Sequence, residues 1–457
     1  MADPSDVLDI ADRLWRGELT TDAFHPVAGG RVGGLAEVGA GAAFIPSFAN
    51  VSAFTTTDGL VLVDTGSSFM ARTVHQTVRG WTDERLHTAV YSHGHIDHVF
   101  GVPVFEEEAA ERGWAAPTVV AHEALPERFD RYVLTAGYNA VVNQRQFQVP
   151  GLAWPVEYRY PDRTYRDRLT LEVGDTRFEL RHARGETDDH TWTWVPDRRV
   201  LCCGDLFIWA SPNAGNPQKV QRYPREWALA LRAMAALEAE VLLPGHGVPV
   251  VGAERVAQAL ADTAELLESL VAQTLALMND GARLDDILHQ VQAPRRLLDR
   301  PYLRPVYDEP EFVVRNIWRQ YGGWYDGNPA HLAPALEAAL ARELAALAGG
   351  AGALADRAAS LADAAVTAGE GPEGQQLRLA AHLAELATQA APDDPGIHRI
   401  RARVFSRRAE VATSTMAKGI FTWAASESTR RSEPDAGVAE RGLHPRSPNY
   451  PLPGGVG

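Results

Sequence analysis

Ser92-His93-Gly94-His95-Ile96-Asp97-His98 is the stretch that decides how the rest of the chain is read. Three histidines and one aspartate fall between His93 and His98. The segment just before it, His87-Thr88-Ala89-Val90-Tyr91, is apolar and rich in β-formers, which predicts a buried strand. The polar cluster is therefore expected where a strand ends and a loop begins. Imidazole nitrogen and carboxylate oxygen are donors that suit zinc and similar divalent ions. A strand end that sends His93 and His95 to one side can hand both to one metal. The turn that follows can bring Asp97 and His98 to a second.

Composition narrows the partners. A chain of 457 residues is long enough for two domains or more, and 45% hydrophobic residues support ordinary globular cores. A net charge of −15 argues against a nucleic-acid partner, which needs a basic surface. The two cysteines, Cys202 and Cys203, are adjacent in the apolar run Val200-Leu201-Cys202-Cys203 and are expected to be reduced core side chains. Met1-Ala2-Asp3-Pro4-Ser5-Asp6 has neither a basic n-region nor an apolar h-region, and no apolar run is long enough to span a bilayer. The expectation is a cytoplasmic protein without a membrane partner.

Outward from the histidine cluster the chain repeats strand, turn and helix. Residues 5 to 16 form an amphipathic helical pattern, and Gly30 to Asp64 reads as strands and turns. Asp64-Thr65-Gly66 turns into a helix over Met70 to Arg79; Asp64 either orients a metal-binding histidine or is a plain turn residue. Residues 103 to 125 give a helix and then a strand. Residues 130 to 149 read as a loop or short helix dense in hydrogen-bond donors. There Arg145 either offers a planar fork to an oxyanion or lies on a solvated face. Alternation over 168 to 182 predicts a hairpin. The strand Val200–Cys203 runs into Gly204-Asp205, and the strand Val241–Leu243 ends in Pro244-Gly245-His246-Gly247. Every polar cluster sits at a strand end, the pattern of a two-layer sheet sandwich flanked by helices. From Val251 the spacing becomes helical. Residues 332 to 425 are Ala-rich, with breaks at Gly349-Gly350, Gly369-Glu370-Gly371-Pro372 and Pro392-Asp393-Asp394-Pro395. Residues 426 to 457 read as a loose tail.

The pattern HxHxDH at a strand end resembles the metallo-β-lactamase superfamily, over roughly residues 30 to 250. His93, His95, Asp97 and His98 match its first metal motif. Asp205 matches the aspartate that usually bridges two metals, and His246 the last histidine. Where the superfamily usually has a histidine, this chain has Gly185-Glu186-Thr187, which looks like the zinc-dependent alkylsulfatase branch. The resemblance makes Glu186 a ligand, with His190 as the rival. Trp318 to Ala330 is similar to the Gly-Trp-Tyr-Asp-Gly-Asn-Pro segment of the alkylsulfatase dimerization domain.

The resemblance implies an α/β fold, a metallo-β-lactamase αββα sandwich followed by an all-α helical dimerization domain. The expected boundaries are a catalytic domain over 1–250, a helical domain over 251–425 and a flexible tail over 426–457. It implies two Zn2+ per chain, a sulfuric ester hydrolase with metal-bound water as nucleophile, a small anionic ester as substrate, and a homodimer. Another hydrolase on the same scaffold, a lactonase, thioesterase or β-lactamase-like enzyme, is the alternative. Asp97, Arg145 and Tyr325 are the expected catalytic residues, with Lys219 or Arg222 as further sulfate contacts. The family's general acid is a histidine in the loop after Asp205, and this chain has none between Asp205 and His246.

Overall fold

The computed structural model describes residues 5–21, 24–25, 34–368 and 374–433. Its strands form two sheets. The first, of seven strands, runs in sequence order: β1 (Ala36–Gly39), β2 (Ala42–Ile45), β3 (Val51–Thr56), β4 (Gly59–Val63), β5 (Leu86–Val90), β6 (Thr118–His122) and β7 (Arg163–Tyr165). β1 to β4 are antiparallel neighbours, and β4 to β7 are parallel. The second, of six strands, contains β8 (Arg168–Val173), β9 (Thr176–His182), β10 (Thr191–Val195), β11 (Val200–Ile208), β12 (Val241–His246) and β13 (Val250–Val251). Only β11 and β12 are parallel there.

The period of two along each strand builds the layers. Ala42, Phe44, Val61, Val63, Val90 and Val120 face the second sheet and share a core with Val173, Phe178, Leu180 and Trp194. The alternate residues Ala43, Ile45, Leu60, Leu62, Ala89 and Val119 face the other way. They pack on α2 (Ala71–Trp81) and α3 (Val102–Arg112) through Val74, Val78, Val102 and Phe105. The second sheet is covered in turn by α6 (Pro224–Ala235) and α7 (Ala253–Asn279), with Trp227, Leu231, Leu260 and Leu267 buried in the shared core. The layers are helix, sheet, sheet, helix, as expected. Cys202 and Cys203 are free and buried in the same core.

The remaining helices are α1 (Ser5–Trp15), α4 (Leu125–Leu134), α5 (Ala136–Phe147), α8 (Leu284–Gln290), α9 (Arg295–Leu298), α10 (Pro310–Gly322), α11 (Glu337–Ala348), α12 (Ala351–Ala368), α13 (Gln375–Ala390), α14 (Pro395–Val411) and α15 (Thr415–Ser432). The chain divides into two compact units: Met1–Val133 with Pro155–Gly327, and Leu134–Trp154 with Asn328–Gly457. This division differs from boundaries at 250 and 425, because α7 to α10 pack in the same unit as the sandwich. The second unit takes α5 from mid-chain; Gln148 at its end donates to the Gly419 carbonyl of α15 at 2.7 Å. Two small Ala-rich cores hold this unit, one around Ala362, Leu377, Ala380 and Val404, the other around Leu354, Ala355, Ala387 and Ile397.

Residues 130–149, expected as a loop or short helix, hold the end of α4 and all of α5. Residues 426–432, expected in the tail, are helical within α15. The break at Gly369–Pro372 and the tail beyond 433 lie outside the described residues. Among the described residues no single helix is long and apolar enough to cross a membrane.

Candidate metal centre

The loop after β5 carries His93, His95, Asp97 and His98. The β9–β10 loop carries Glu186, β11 carries Asp205, and β12 ends on His246. These strand ends converge into two groups whose ligand atoms lie within 4.8 Å of one another: His93, His95, Glu186 and Asp205, and then Asp97, His98 and His246. All seven residues expected to bind metal are thus brought together. Asp205 lies between the groups. Its carboxylate is 3.8 Å from His93 Nε2, 3.5 Å from His98 Nε2 and 3.4 Å from His246 Nε2. Asp97 Oδ2 is 3.4 Å from His246 Nε2. Ligands about 2.1 Å from a tetrahedral ion stand roughly 3.4 Å apart, so these spacings fit.

The backbone around the cluster is built for close approach. Gly204 adopts φ +50°, and a Cβ there would sit 2.7 Å from the His190 ring and 2.8 Å from Ser92. A Cβ on Gly245 would run into the Asp205 carboxylate. Only glycine lets β11 and β12 deliver Asp205 and His246 side by side.

Asp64 orients two of the histidines, which decides between its two readings. Its Oδ2 accepts from His98 Nδ1 at 2.8 Å and from Ser92 Oγ at 2.8 Å, and its Oδ1 accepts from Ser92 N at 2.7 Å. Ser92 Oγ in turn lies 3.0 Å from His93 Nδ1. His246 Nδ1 donates to the Phe48 carbonyl at 2.6 Å. Each of these bonds engages Nδ1 and turns Nε2 toward the cluster, the nitrogen an imidazole ligand would offer. Asp189 holds the turn between His93 and His95. It accepts from Gly94 N at 2.8 Å and pairs with the buried Arg128 at 2.8 Å.

The electrostatics of the cluster suit bound cations. Burial, reinforced by the charges of His98 and His95, drives His93 well below its usual range; burial does the same to His95. Burial raises Asp97, but His98 and His246 more than offset it and hold the carboxyl at about 2. Burial pushes Glu186 well up, and the neighbouring Asp205 carboxylate adds to the push. Two buried carboxylates with no cation between them cannot both carry charge at ease. Glu186 Oε2, Asp205 Oδ1 and His98 Nε2 are also buried without any hydrogen-bond partner. Orphaned donor atoms of nitrogen and oxygen, converging in two groups, fit two divalent ions.

The structure places Glu186 and His190 differently. His190 Nε2 already accepts the Asp205 backbone N–H at 3.1 Å, and its ring stacks on His93 with centroids 4.8 Å apart. It lies outside both ligand groups. Glu186 Oε1 accepts from Asn213 Nδ2 and from Arg222 Nη2 at 3.3 Å.

Residues 45–246 match the metallo-beta-lactamase superfamily, and residues 283–431 match the alkyl sulfatase dimerisation family. The chain is thus similar to a metallo-beta-lactamase domain over its first half and to an alkyl sulfatase dimerisation domain over much of the rest. It is 28% identical over 372 residues to a linear primary-alkylsulfatase of Pseudomonas sp., covering 77% of this chain and 68% of that one. It is 28% identical over 320 residues to an (R)-specific secondary-alkylsulfatase of Pseudomonas sp., covering 63% and 47%. It is 24% identical over 326 residues to the alkyl/aryl-sulfatase BDS1 of Saccharomyces cerevisiae, covering 64% and 50%. The fold is that of the stereoselective inverting sec-alkylsulfatase Pisa1 from Pseudomonas sp., with a TM-score of 0.75 at 23% identity, over 89% of this chain and 66% of that one. The chain thus spans between about half and two thirds of these relatives.

Within residues 45–246, two expected substrate contacts read differently in three dimensions. Arg222 is 1% exposed, and its guanidinium is engaged by Glu186, the Asn213 carbonyl at 3.3 Å and the Val220 carbonyl at 3.1 Å. It serves Glu186 rather than a sulfate. Lys219 is half-buried in the same loop. Burial and Arg222 lower its ammonium to about 7, while Glu186 and Asp97 pull it up. Arg145 lies on α5 in the second unit, half-buried. Tyr325 is 40% exposed, and none of the hydrogen bonds among the described residues reaches it. Asn213 and Asp189 escaped the sequence reading. A lone Asn in a Pro/Gly-rich loop and an Asp in a run of polar residues carry no spacing signal.

Proposed function

We propose that this chain hydrolyses sulfate esters at a centre of two zinc ions. The observation that carries the reading is the pair of ligand groups with Asp205 between them and Glu186 in the first. The alkylsulfatase relatives support sulfate esters as the substrate class. When bound, the ions supply Lewis acidity and a water acidic enough to attack near neutral pH. His93, His95, Glu186 and Asp205 would hold one ion; Asp97, His98 and His246, shared with Asp205, the other.

The protein's own groups do the rest. Asp64 engages Nδ1 of His98 and, through Ser92, that of His93, so both rings present Nε2. Arg222 and Asn213 aim Glu186 by occupying Oε1. Lys219, whose ammonium feels the charges of Glu186 and Asp97, is proposed to give a sulfate oxyanion a charge-assisted hydrogen bond from Nζ. Tyr325 is proposed as a further donor to the sulfate, Asp97 as the carboxylate beside the reacting water.

The assembly proposed is a homodimer. Leu336, at the N-cap of α11, and Leu340, Leu344 and Leu347 within it are 80%, 54%, 37% and 85% exposed, and their spacing of three to four residues lays them on one side of the helix. An apolar stripe left open to water on a domain matched to dimerisation is best covered by a second copy.

Metal-loaded protein is to be incubated with alkyl sulfates, a lactone and nitrocefin. Free inorganic sulfate from the first supports the reading; ring opening without sulfate release transfers the chain to the lactonase or β-lactamase-like class.

A further inference from the structure

We propose that Asp308 and Asn316, which lie beyond the metallo-beta-lactamase match, are positioning residues of the metal centre. They act through the loop that carries Asn213 and Arg222 to Glu186, and the proposal rests on the two-ion reading above.

That loop is irregular. It runs from Ser211 to Tyr223, between β11 and α6, and no strand partner fixes it. Asp308, fully buried, closes its first half. Oδ2 accepts from Gly215 N at 2.6 Å and from Asn216 N at 3.2 Å, and Oδ1 accepts from Glu309 N at 2.8 Å. Gly215 lies so close to the start of α10 that a Cβ would run into the backbone of Phe312 and Val313. Asn316 closes the second half by pairing with the Arg222 backbone as a strand would. Its Nδ2 donates to the Arg222 carbonyl at 3.0 Å, and its Oδ1 accepts from Arg222 N at 3.4 Å and from Gln221 Nε2 at 3.0 Å. Arg319, one turn further along α10, donates to both Asn316 Oδ1 at 3.1 Å and Gln221 Oε1 at 3.0 Å.

Between these two clamps sit the groups that touch Glu186. Asn213 lies two residues before Gly215, and Arg222 is the residue Asn316 holds. Both donate to Glu186 Oε1, the oxygen that lies 3.9 Å from His95 Nδ1, and Oε2 is buried without a hydrogen-bond partner. Release of either clamp frees the donors that fix this rotamer. The ligand then keeps its identity and loses its aim, which weakens the ion it holds while sparing the ion held by Asp97, His98 and His246. Outer partners of this kind cost roughly 10- to 100-fold in metal affinity when removed.

The test titrates metal-free protein with Co2+ and follows the visible absorption of each bound ion, with the melting temperature recorded alongside. The wild type, Asp308→Ala, Asn316→Ala and Asp308→Asn are compared. Burial lifts the Asp308 carboxyl to about 7 against its backbone donors, so an amide, which keeps an oxygen for Gly215 and Asn216, is a close mimic. The proposal expects the wild type to take up two ions. Each alanine variant should bind one of them roughly 10- to 100-fold more weakly and the other unchanged, and Asp308→Asn should retain the wild-type affinities. If Asp308→Ala does not fold, Asn316→Ala decides alone. Wild-type affinity for both ions in the alanine variants, or equal loss of both ions with a falling melting temperature, overturns the proposal and leaves the two-ion reading standing. A wild type that binds no ion overturns that reading itself, and the proposal with it.

Discussion

The metal-binding end of the sandwich and the surface of α11 are incomplete in opposite ways. In the first, polar atoms are buried without partners: Glu186 Oε2, Asp205 Oδ1 and His98 Nε2. In the second, apolar side chains are exposed without partners: Leu336 at 80% and Leu347 at 85%. An unpaired buried polar atom costs about 1–3 kcal/mol, and an exposed leucine forgoes about 1.5–3 kcal/mol of burial. The physical sign of the deficit names the missing component. Buried donors of nitrogen and oxygen call for cations; an exposed hydrocarbon stripe calls for another apolar surface. Each region can be completed without the other, so each can be broken separately.

The largest effect is expected from Asp205→Ala. It removes the carboxylate that lies between both groups, so the purified variant should lose both ions by elemental analysis. Sulfate release should fall about 10³-fold or more, the scale of several kcal/mol of lost electrostatic stabilisation. Retention of two ions would break the first half of the comparison. Chelation should come next. Stripping ions held at a thousandfold excess over their dissociation constants removes about 4 kcal/mol of stability from the state that binds them. The melting temperature should drop while light scattering still reports a dimer; dissociation on chelation would show that the two completions are coupled.

The second half is broken by charge on the stripe. Leu336→Glu with Leu340→Glu should shift the light-scattering mass from about twice 49.7 kDa to 49.7 kDa at micromolar concentration, with metal content unchanged. A wild type that is already monomeric, or a charged variant that stays dimeric, assigns the stripe another role. The smallest effect is expected from Tyr325→Phe: a fall in turnover of roughly tenfold, the worth of one transition-state hydrogen bond of about 1.4 kcal/mol. Unchanged turnover with both ions bound would make the 324–329 segment structural.

The site was more legible in the sequence than its supports. His93, His95, Asp97 and His98 are close in sequence because one loop after one strand carries them, and Asp205 announces itself as a polar residue that interrupts an apolar run, His246 as one that ends a run. The helix–sheet–sheet–helix order followed from the same alternation. What the sequence hid is contact between distant segments. Nothing in Tyr307-Asp308-Glu309-Pro310 indicates that Asp308 closes a loop 93 residues away, and nothing around Arg222 shows that its guanidinium turns inward to Glu186 rather than outward to an anion. The division of the chain was hidden for the same reason. Helical spacing marks α7 to α10 as helices, but it cannot tell a helix that covers the second sheet from one that joins a separate bundle. Glu186 against His190 is an intermediate case. Both lie in one loop, and three-dimensional contacts separate them: His190 Nε2 already accepts the Asp205 backbone N–H, while Glu186 falls within a ligand group.

The central claim is a centre of two ions in which Glu186 takes the place of a histidine. Crystals grown with zinc, measured above and below the zinc absorption edge, test it most directly. The account predicts two anomalous peaks per chain, one within bonding distance of His93, His95 and Glu186, the other of Asp97, His98 and His246, with Asp205 reaching both. A single peak, or a peak bonded to His190 with Glu186 turned away, would contradict it.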